Sequence, residues 1–431
     1  MPITYNSGNK SLYTSTASVM YRDRRKFNLG DKVAELVPQA TPFLSLLRRL
    51  PKEQVDDPDY KFLEHRAHWL DNLTYSVSAA TTITSVSAGS SADIKVKITN
   101  NPTTTILAGH IIQVVDADDH SKYANILVSS TSLDSTNSLV KVTGTMITNT
   151  PGFNAAKNDQ VQRIGSAFED GSAKASGYSD NLESVWASAQ IFKTKYGIDN
   201  TLRNTRTFGG GEYARIRADK MKEHLIEQER AFIFGQRYGS SKGNPFSAPG
   251  AAALLGSSAP NRTSHGIINA TIYGAANNGI GGAREFNKTK ASYTFNDFMD
   301  DMEEVYEYDS SVRKFSICGR GVMTFFTKLA RAENDISMTQ AENKLGLKIM
   351  RLETPSGDLD LVYDPLLRGS VYKNFMVNID PANVGLMVFR DTQWETNIQT
   401  PGTDAVEEQY LSQIGLIVKL PETHSVFRFS D

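Results

Sequence analysis

The strongest regularity along the chain is helical. From Glu212 to Phe234 the apolar positions Ala214, Ala218, Met221, Leu225 and Phe232 fall four, three, four and seven residues apart, and Arg215, Arg217, Asp219, Lys222, Glu223, Glu227 and Arg230 fill the gaps. Side chains three and four residues apart share one face of an α-helix, so the spacing predicts one apolar stripe on a charged rod. No Gly or Pro interrupts the stretch, and Gly235 stands where it should stop. Such a helix would run unbroken for about 35 Å at 1.5 Å per residue. A second helix starts at Thr294, an N-cap residue with the acidic Asp297 three positions on, and Phe295, Phe298, Met302, Val305 and Tyr306 form its stripe. A strand over Lys314–Cys318 and a third helix over Val322–Ala332 follow.

Elsewhere the period shortens to two. Between residues 81 and 164 the chain turns rich in Ser, Thr, Val and Ile, with strand-like runs at Ile94–Ile98, Gly109–Val115, Asn125–Val128, Leu139–Val142 and Asp159–Ile164. Alternation and β-branched residues between polar turns predict a small antiparallel barrel or sandwich, inserted as a module. The stretch 166–207 reads as extended and polar, anchored by Trp186, Ile191 and Tyr196, and the Gly-, Ala-, Asn- and Ser-rich stretch 236–292 reads as loop. The last hundred residues are mainly strands, over Leu347–Glu353, Leu359–Tyr363, Lys373–Ile379, Val384–Arg390, Gln409–Leu420 and Ser425–Phe429. Residues 1–60 have little core of their own. A short apolar helix candidate over Leu29–Leu50, around Pro38 and Pro42, carries Phe43, Leu44, Leu46 and Leu47, which must bury against the rest of the fold or against a neighbouring subunit. The whole is a mixed α+β chain with neither repeat nor heptad run.

Bulk properties narrow the function classes. The 431 residues allow two or three compact units. The net charge of -2 leaves no global positive field to draw the chain onto nucleic acid or anionic lipid, so any contact with DNA must be local. Four cations, Arg22, Arg24, Arg25 and Lys26, are the candidate for nonspecific phosphate contact. The opening residues lack the basic-then-apolar pattern of a secretory signal and no apolar run reaches the roughly 20 residues of a membrane helix, so a cytosolic, non-membrane protein is expected. The single cysteine, Cys318, lies in the apolar run Phe315–Cys318 and reads as a buried small hydrophobe.

Candidate chemistry does not assemble into a site. Gly239-Ser240-Ser241-Lys242-Gly243 fits the pattern of a hydrolase nucleophile elbow, yet it follows a helix where the elbow needs a strand. His65 and His68 lack a third donor, and Asp116, Asp118 and Asp119 lack the layout of a calcium loop, so a solvated turn is the simpler reading. The glycines at 209–211 and 279–282 carry no Lys-Ser/Thr of a phosphate loop. No catalytic, metal or cofactor set is expected.

The order of parts, together with Thr41-Pro42-Phe43-Leu44-Ser45-Leu46-Leu47, Trp69-Leu70-Asp71-Asn72-Leu73, Ala167-Phe168-Glu169 and Glu229-Arg230-Ala231-Phe232-Ile233-Phe234-Gly235, resembles the major capsid proteins of tailed bacteriophages. The resemblance implies a Hong Kong 97-type fold. Its parts would be an N-terminal arm (1–60), extended E-loop strands (61–80 and 165–207), an inserted β module (81–164) and the spine helix of the peripheral domain (208–240). A mainly axial-domain stretch (241–345) and closing strands shared by the two domains (346–431) would complete it. It implies a non-enzyme that assembles with itself as pentamers and hexamers into an icosahedral head around double-stranded DNA, in the host cytoplasm. Portal, scaffolding and cement or decoration proteins would be its partners. Phe43, Leu44, Leu47, Trp69 and Trp186 are the candidate subunit-interface residues. An encapsulin-type shell around an enzyme cargo, or a polymer-binding hydrolase using Ser241, are the alternatives.

Overall fold

A computed structural model describes residues 41–65, 87–97, 106–134, 139–151, 153, 159–172, 177, 182–205, 211–237, 261–278, 284–308, 311–333, 339–341 and 349–431. The chain forms two compact units. The smaller takes 194–223 and 394–409, together with 1–38, which lie outside the described residues; the larger takes 39–193, 224–393 and 410–431.

In chain order, a short arm helix, Pro42–Leu47, precedes strands β1 (Lys52–Gln54) and β2 (Asp59–Glu64). Then come β3 (Ser91–Lys97), β4 (His110–Val115), β5 (Tyr123–Asp134), β6 (Leu139–Asn149) and β7 (Gln160–Ser166). Strands β8 (Glu183–Ser188) and β9 (Gln190–Asp199) lead through a five-residue helix, Asn200–Asn204, to the long helix Glu212–Phe234. Helix Ile267–Asn278, β10 (Glu285–Thr289), helix Phe295–Val305, β11 (Arg313–Cys318) and helix Arg320–Glu333 follow. The chain closes through β12 (Thr339–Ala341), β13 (Ile349–Thr354), β14 (Gly357–Tyr363), a one-turn helix Gly369–Tyr372, β15 (Phe375–Ile379), β16 (Val384–Glu395), β17 (Ala405–Val418) and β18 (Ser425–Ser430).

The larger unit is built on a mixed seven-stranded sheet, β10-β18-β15-β11-β14-β13-β12. Alternation sorts its side chains to two cores. Phe315, Ile317, Val362, Val377, Ile379 and Val426 pack with helix 267–278 through Ile267, Ile268, Ala270 and Ile272. Cys318, Leu359, Leu361, Met376, Phe427 and Phe429 pack with Phe298, Met302, Val305, Val322 and Phe326 of the two later helices. A sheet covered on both faces buries both sides of its strands, and β11, β15 and β18 are buried along most of their length, with Lys314, Ser316, Asn378 and Ser425 as buried polar positions. Helix 295–305 opens with the expected capping box: Thr294 Oγ1 accepts from the Asp297 amide at 3.3 Å and the Asp297 carboxylate accepts from the Thr294 amide at 2.8 Å. Each bond satisfies an amide that the first turn would leave orphaned.

All five strands expected between 81 and 164 are present, as one antiparallel sheet in the order β3-β6-β5-β4-β7. Its inward residues, from Ala92, Ile94 and Val96 through Ile112, Val114, Ile126, Val140 and Met146 to Val161, form a separate core to which Ile106 and Phe153 contribute from outside the strands. Register shifts at Ile111/Ile112, Asn125/Ile126 and Val128/Ser130 add local twist. Among the described residues the expected β module is one antiparallel sheet with β3 and β7 at its edges.

Candidate assembly surfaces

The arm helix is short and apolar, and it begins without a side-chain cap from Thr41. Its first two amides are met by the long helix instead: Phe43 N–H donates to Glu229 Oε1 at 3.0 Å and Leu44 N–H to Glu229 Oε2 at 3.3 Å. Phe43, Leu44 and Leu47 are fully buried in the main core beside Phe232 and Ile233. Of the two covers the sequence allowed, the rest of the fold or a neighbouring subunit, the single chain itself already supplies one for these three residues. The chain's own fold seals them, and they have no surface left to offer.

Glu229 is itself fully buried and sits beside the equally buried Asp364, the residue that follows β14. Burial and the adjacent carboxyl push Glu229 up from the ordinary carboxylate range, and burial raises Asp364 as well. Asp364 Oδ1 accepts from Leu366 N–H at 2.8 Å, but Oδ2 is buried with no donor facing it unless the pair keeps a proton. One proton shared between the two carboxyls satisfies that oxygen.

The inward face of the long helix also differs from the expected stripe. Ala214 and Ala218 are exposed, whereas His224, Gln228, Glu229, Phe232 and Ile233 are buried. His224 Nε2 and Gln228 Nε2 both meet Ser412 Oγ at 2.9 Å. Desolvation, helped by the charge of Arg48, lowers His224 to about 4, so it is neutral at pH 7.

Strands β2 and β8 pair antiparallel, with Lys61 opposite Trp186 and Leu63 opposite Ser184. Phe62, Glu64, Val185 and Ala187 point inward, and Lys61 and Leu63 point out with Trp186 half-buried beside them. Lys61 Nζ lies 5.7 Å from the Trp186 ring centroid. Leu63 keeps 59% of its surface exposed and Leu182, just before β8, keeps 57%. The outer face of this ribbon is therefore a strip on which a lone chain leaves Leu63 and Leu182 in water, with Lys61 and Ser184 beside them. Of the candidate interface residues, Trp186 lies on it. Trp69, Arg22, Arg24, Arg25 and Lys26 lie outside the described residues.

Sequence reasoning did not foresee a cluster in the smaller unit. Tyr196 Oη donates to Glu408 Oε2 at 2.6 Å, Tyr213 Oη to Glu408 Oε1 at 2.7 Å, and Trp394 Nε1 to Glu408 Oε2 at 3.1 Å. The Arg217 guanidinium stacks 3.6 Å over the Trp394 ring. The one sequence signal was the alternation Thr194, Tyr196, Ile198 in β9, all three buried. Every polar atom named here is spoken for by a neighbour, so the cluster reads as a brace.

The remaining chemical candidates stay apart. Ser241 and His68 lie outside the described residues, and His65 is exposed at the end of β2. Asp116 and Asp119 cap their own turn, accepting from the amides of Asp118 at 2.9 Å and Ser121 at 3.2 Å. Cys318 is buried, and burial pushes its thiol up, away from the reactive thiolate. Among the described residues no three His, Cys, Asp or Glu side chains gather to hold a metal, and no helix is long and apolar enough to cross a membrane.

Comparison with known proteins bears on these surfaces. The chain is 25% identical over 240 residues to the major capsid protein of Pseudomonas phage PaMx41; the match takes in 54% of this chain and 52% of that protein, so it spans about half the relative's length. Among solved structures, a chain of Microbacterium phage Oxtober96 aligns over 97% of this chain and all of its own at 10% identity and a TM-score of 0.46. The capsid of a native GTA particle aligns over 97% of this chain and all of its own at 7% identity and a TM-score of 0.48. The model of one family, the SU10 major capsid proteins, matches from residue 6 to residue 429, and the chain belongs to that family.

Proposed function

We propose that the chain is the major capsid protein of a tailed bacteriophage, and that it assembles as pentamers and hexamers into an icosahedral head around double-stranded DNA. The family match from residue 6 to residue 429 carries this reading. The described structure supports it, because the β2–β8 ribbon exposes Leu63 and Leu182 in a way a solitary subunit gains nothing from. In the shell this strip, with Trp186, packs on a neighbouring copy, and Trp69, which lies outside the described residues, is a further candidate for the subunit interface. The basic residues Arg22, Arg24, Arg25 and Lys26 touch phosphates without reading bases. Cement or decoration proteins dock on the β module, and portal and scaffolding proteins complete the head, which is built in the host cytoplasm.

Family membership favours a structural protein over the hydrolase alternative, and a phage head over a cargo shell. The test is a charge placed on the strip. Leu63→Glu and Leu182→Glu are expected to leave the circular dichroism and urea midpoint of the unassembled chain unchanged while abolishing sedimenting shells. Shells that form normally in the double variant would remove the ribbon from the assembly contacts.

A further inference from the structure

The buried carboxyl pair has no part in a shell contact, yet it holds the arm. Thr41 gives the arm helix no cap, and Glu229 from the long helix takes the place of one by accepting the Phe43 and Leu44 amides at 3.0 and 3.3 Å. Behind it Asp364 is fixed by its own turn, with its amide donating to Cys318 O at 3.0 Å and its Oδ1 accepting from Leu366 N–H at 2.8 Å. Three elements therefore meet at one pair of acids, and two of them are rigid: a 23-residue helix and the end of a central strand. The third is a six-residue helix.

We propose that Glu229 and Asp364 form a proton-dependent latch, which clamps residues 42–47 while the pair keeps one proton and loosens them when that proton leaves. With one proton shared across the pair, Glu229 accepts the arm amides and the buried Asp364 oxygen has a donor. Without it, two negative charges share a site that excludes water, and like charges at such range oppose each other strongly. The other titratable or charged groups acting in this region are the Cys318 thiol, which faces Asp364, and, farther along the long helix and the arm, His224 and Arg48. His224 is neutral, so it supplies no counter-charge. Lifting the arm helix is the movement that opens Glu229 to water without breaking the long helix or the sheet.

The direction follows from proton linkage. A folded pair that retains a proton the unfolded chain has already released loses stability as pH rises from the ordinary carboxylate range up to the raised one. The experiment is amide hydrogen exchange by mass spectrometry on the full chain between pH 6.5 and 9.5, corrected for intrinsic rates. It compares the peptide covering 41–50 with one covering β11. Protection of 41–50 is expected to fall with pH, by up to about tenfold per unit for one proton, while β11 stays flat. Asp364→Asn, which removes the second charge and keeps a donor, is expected to flatten the slope, and Glu229→Gln serves as the second variant should the first not fold. A flat wild-type profile over 41–50, or an unchanged slope in either folded variant, would overturn the latch. The inference does not rest on the chain building a shell, and neither outcome depends on assembly.

Discussion

Replacing Phe43 by Ala separates a core residue from an interface residue. Phe43 is wholly buried within the single chain, with Leu44, Leu47, Phe232 and Ile233 in the same core. Truncating a buried Phe to Ala removes its transfer free energy and leaves a cavity, together costing about 3–5 kcal/mol. At about 1.4 kcal/mol per tenfold, the folding equilibrium of the larger unit shifts by roughly two to four orders of magnitude. The assay is urea unfolding of the unassembled chain followed by circular dichroism, alongside sedimentation of assembled material. Phe43→Ala should lower the unfolding midpoint substantially and reduce assembly only as a consequence. Leu63→Ala, on the exposed strip, should stay within about 0.5 kcal/mol in the same unfolding assay and weaken assembly directly. A Phe43→Ala chain that unfolds at the wild-type midpoint yet fails to assemble would refute the reasoning and return the arm to the subunit interface.

Three further outcomes are expected. Gly266→Ala places a Cβ at 2.5 Å from Gly235 N, 2.8 Å from Ile233 O and 2.9 Å from Gly235 O, all backbone at the end of the long helix, so a loss of about 1–3 kcal/mol or more is expected in the urea midpoint. Thr294→Ala removes half of the capping box of helix 295–305 and should cost about 1 kcal/mol, with faster amide exchange at Asp297 as its local signature. His224 titrates near 4 when folded and near 6.5 when unfolded, so below pH 6.5 the unfolded chain takes up a proton that the folded chain refuses. Its contribution to stability therefore falls as pH drops from 6.5 to 4, by up to about 1.4 kcal/mol per unit. The urea midpoint of His224→Gln, measured from pH 7.5 to 5, should show an acid slope shallower than wild type by about that amount.

Local signals carried most of the fold. The long helix has the bounds its 3.6-residue period and Gly235 foretell, the capping box at Thr294 forms, and each β run between 81 and 164 becomes a strand. What failed was the inward face of the long helix. His224, Gln228 and Glu229 fall outside the apolar stripe, and their burial depends on partners 184 to 188 residues away in sequence. No local pattern encodes such a partner. The same holds for Glu408, whose Tyr196 and Tyr213 partners lie 212 and 195 residues off. The arm was legible as an apolar segment needing cover, but which surface covers Phe43 is decided by tertiary packing alone. On β2 and β8 the sequence singled out only Trp186, and the exposure of Leu63 and Leu182 follows from the pairing register, which fixes the side that faces out.

The central claim is that this chain closes on copies of itself. Electron microscopy of the purified chain across rising concentration, salt and crowding tests it directly. The account predicts closed shells of pentameric and hexameric clusters, with the strip of Leu63, Leu182 and Trp186 lying between copies. Particles that stay monomeric under every condition, with no trace of the chain in virions, would contradict it.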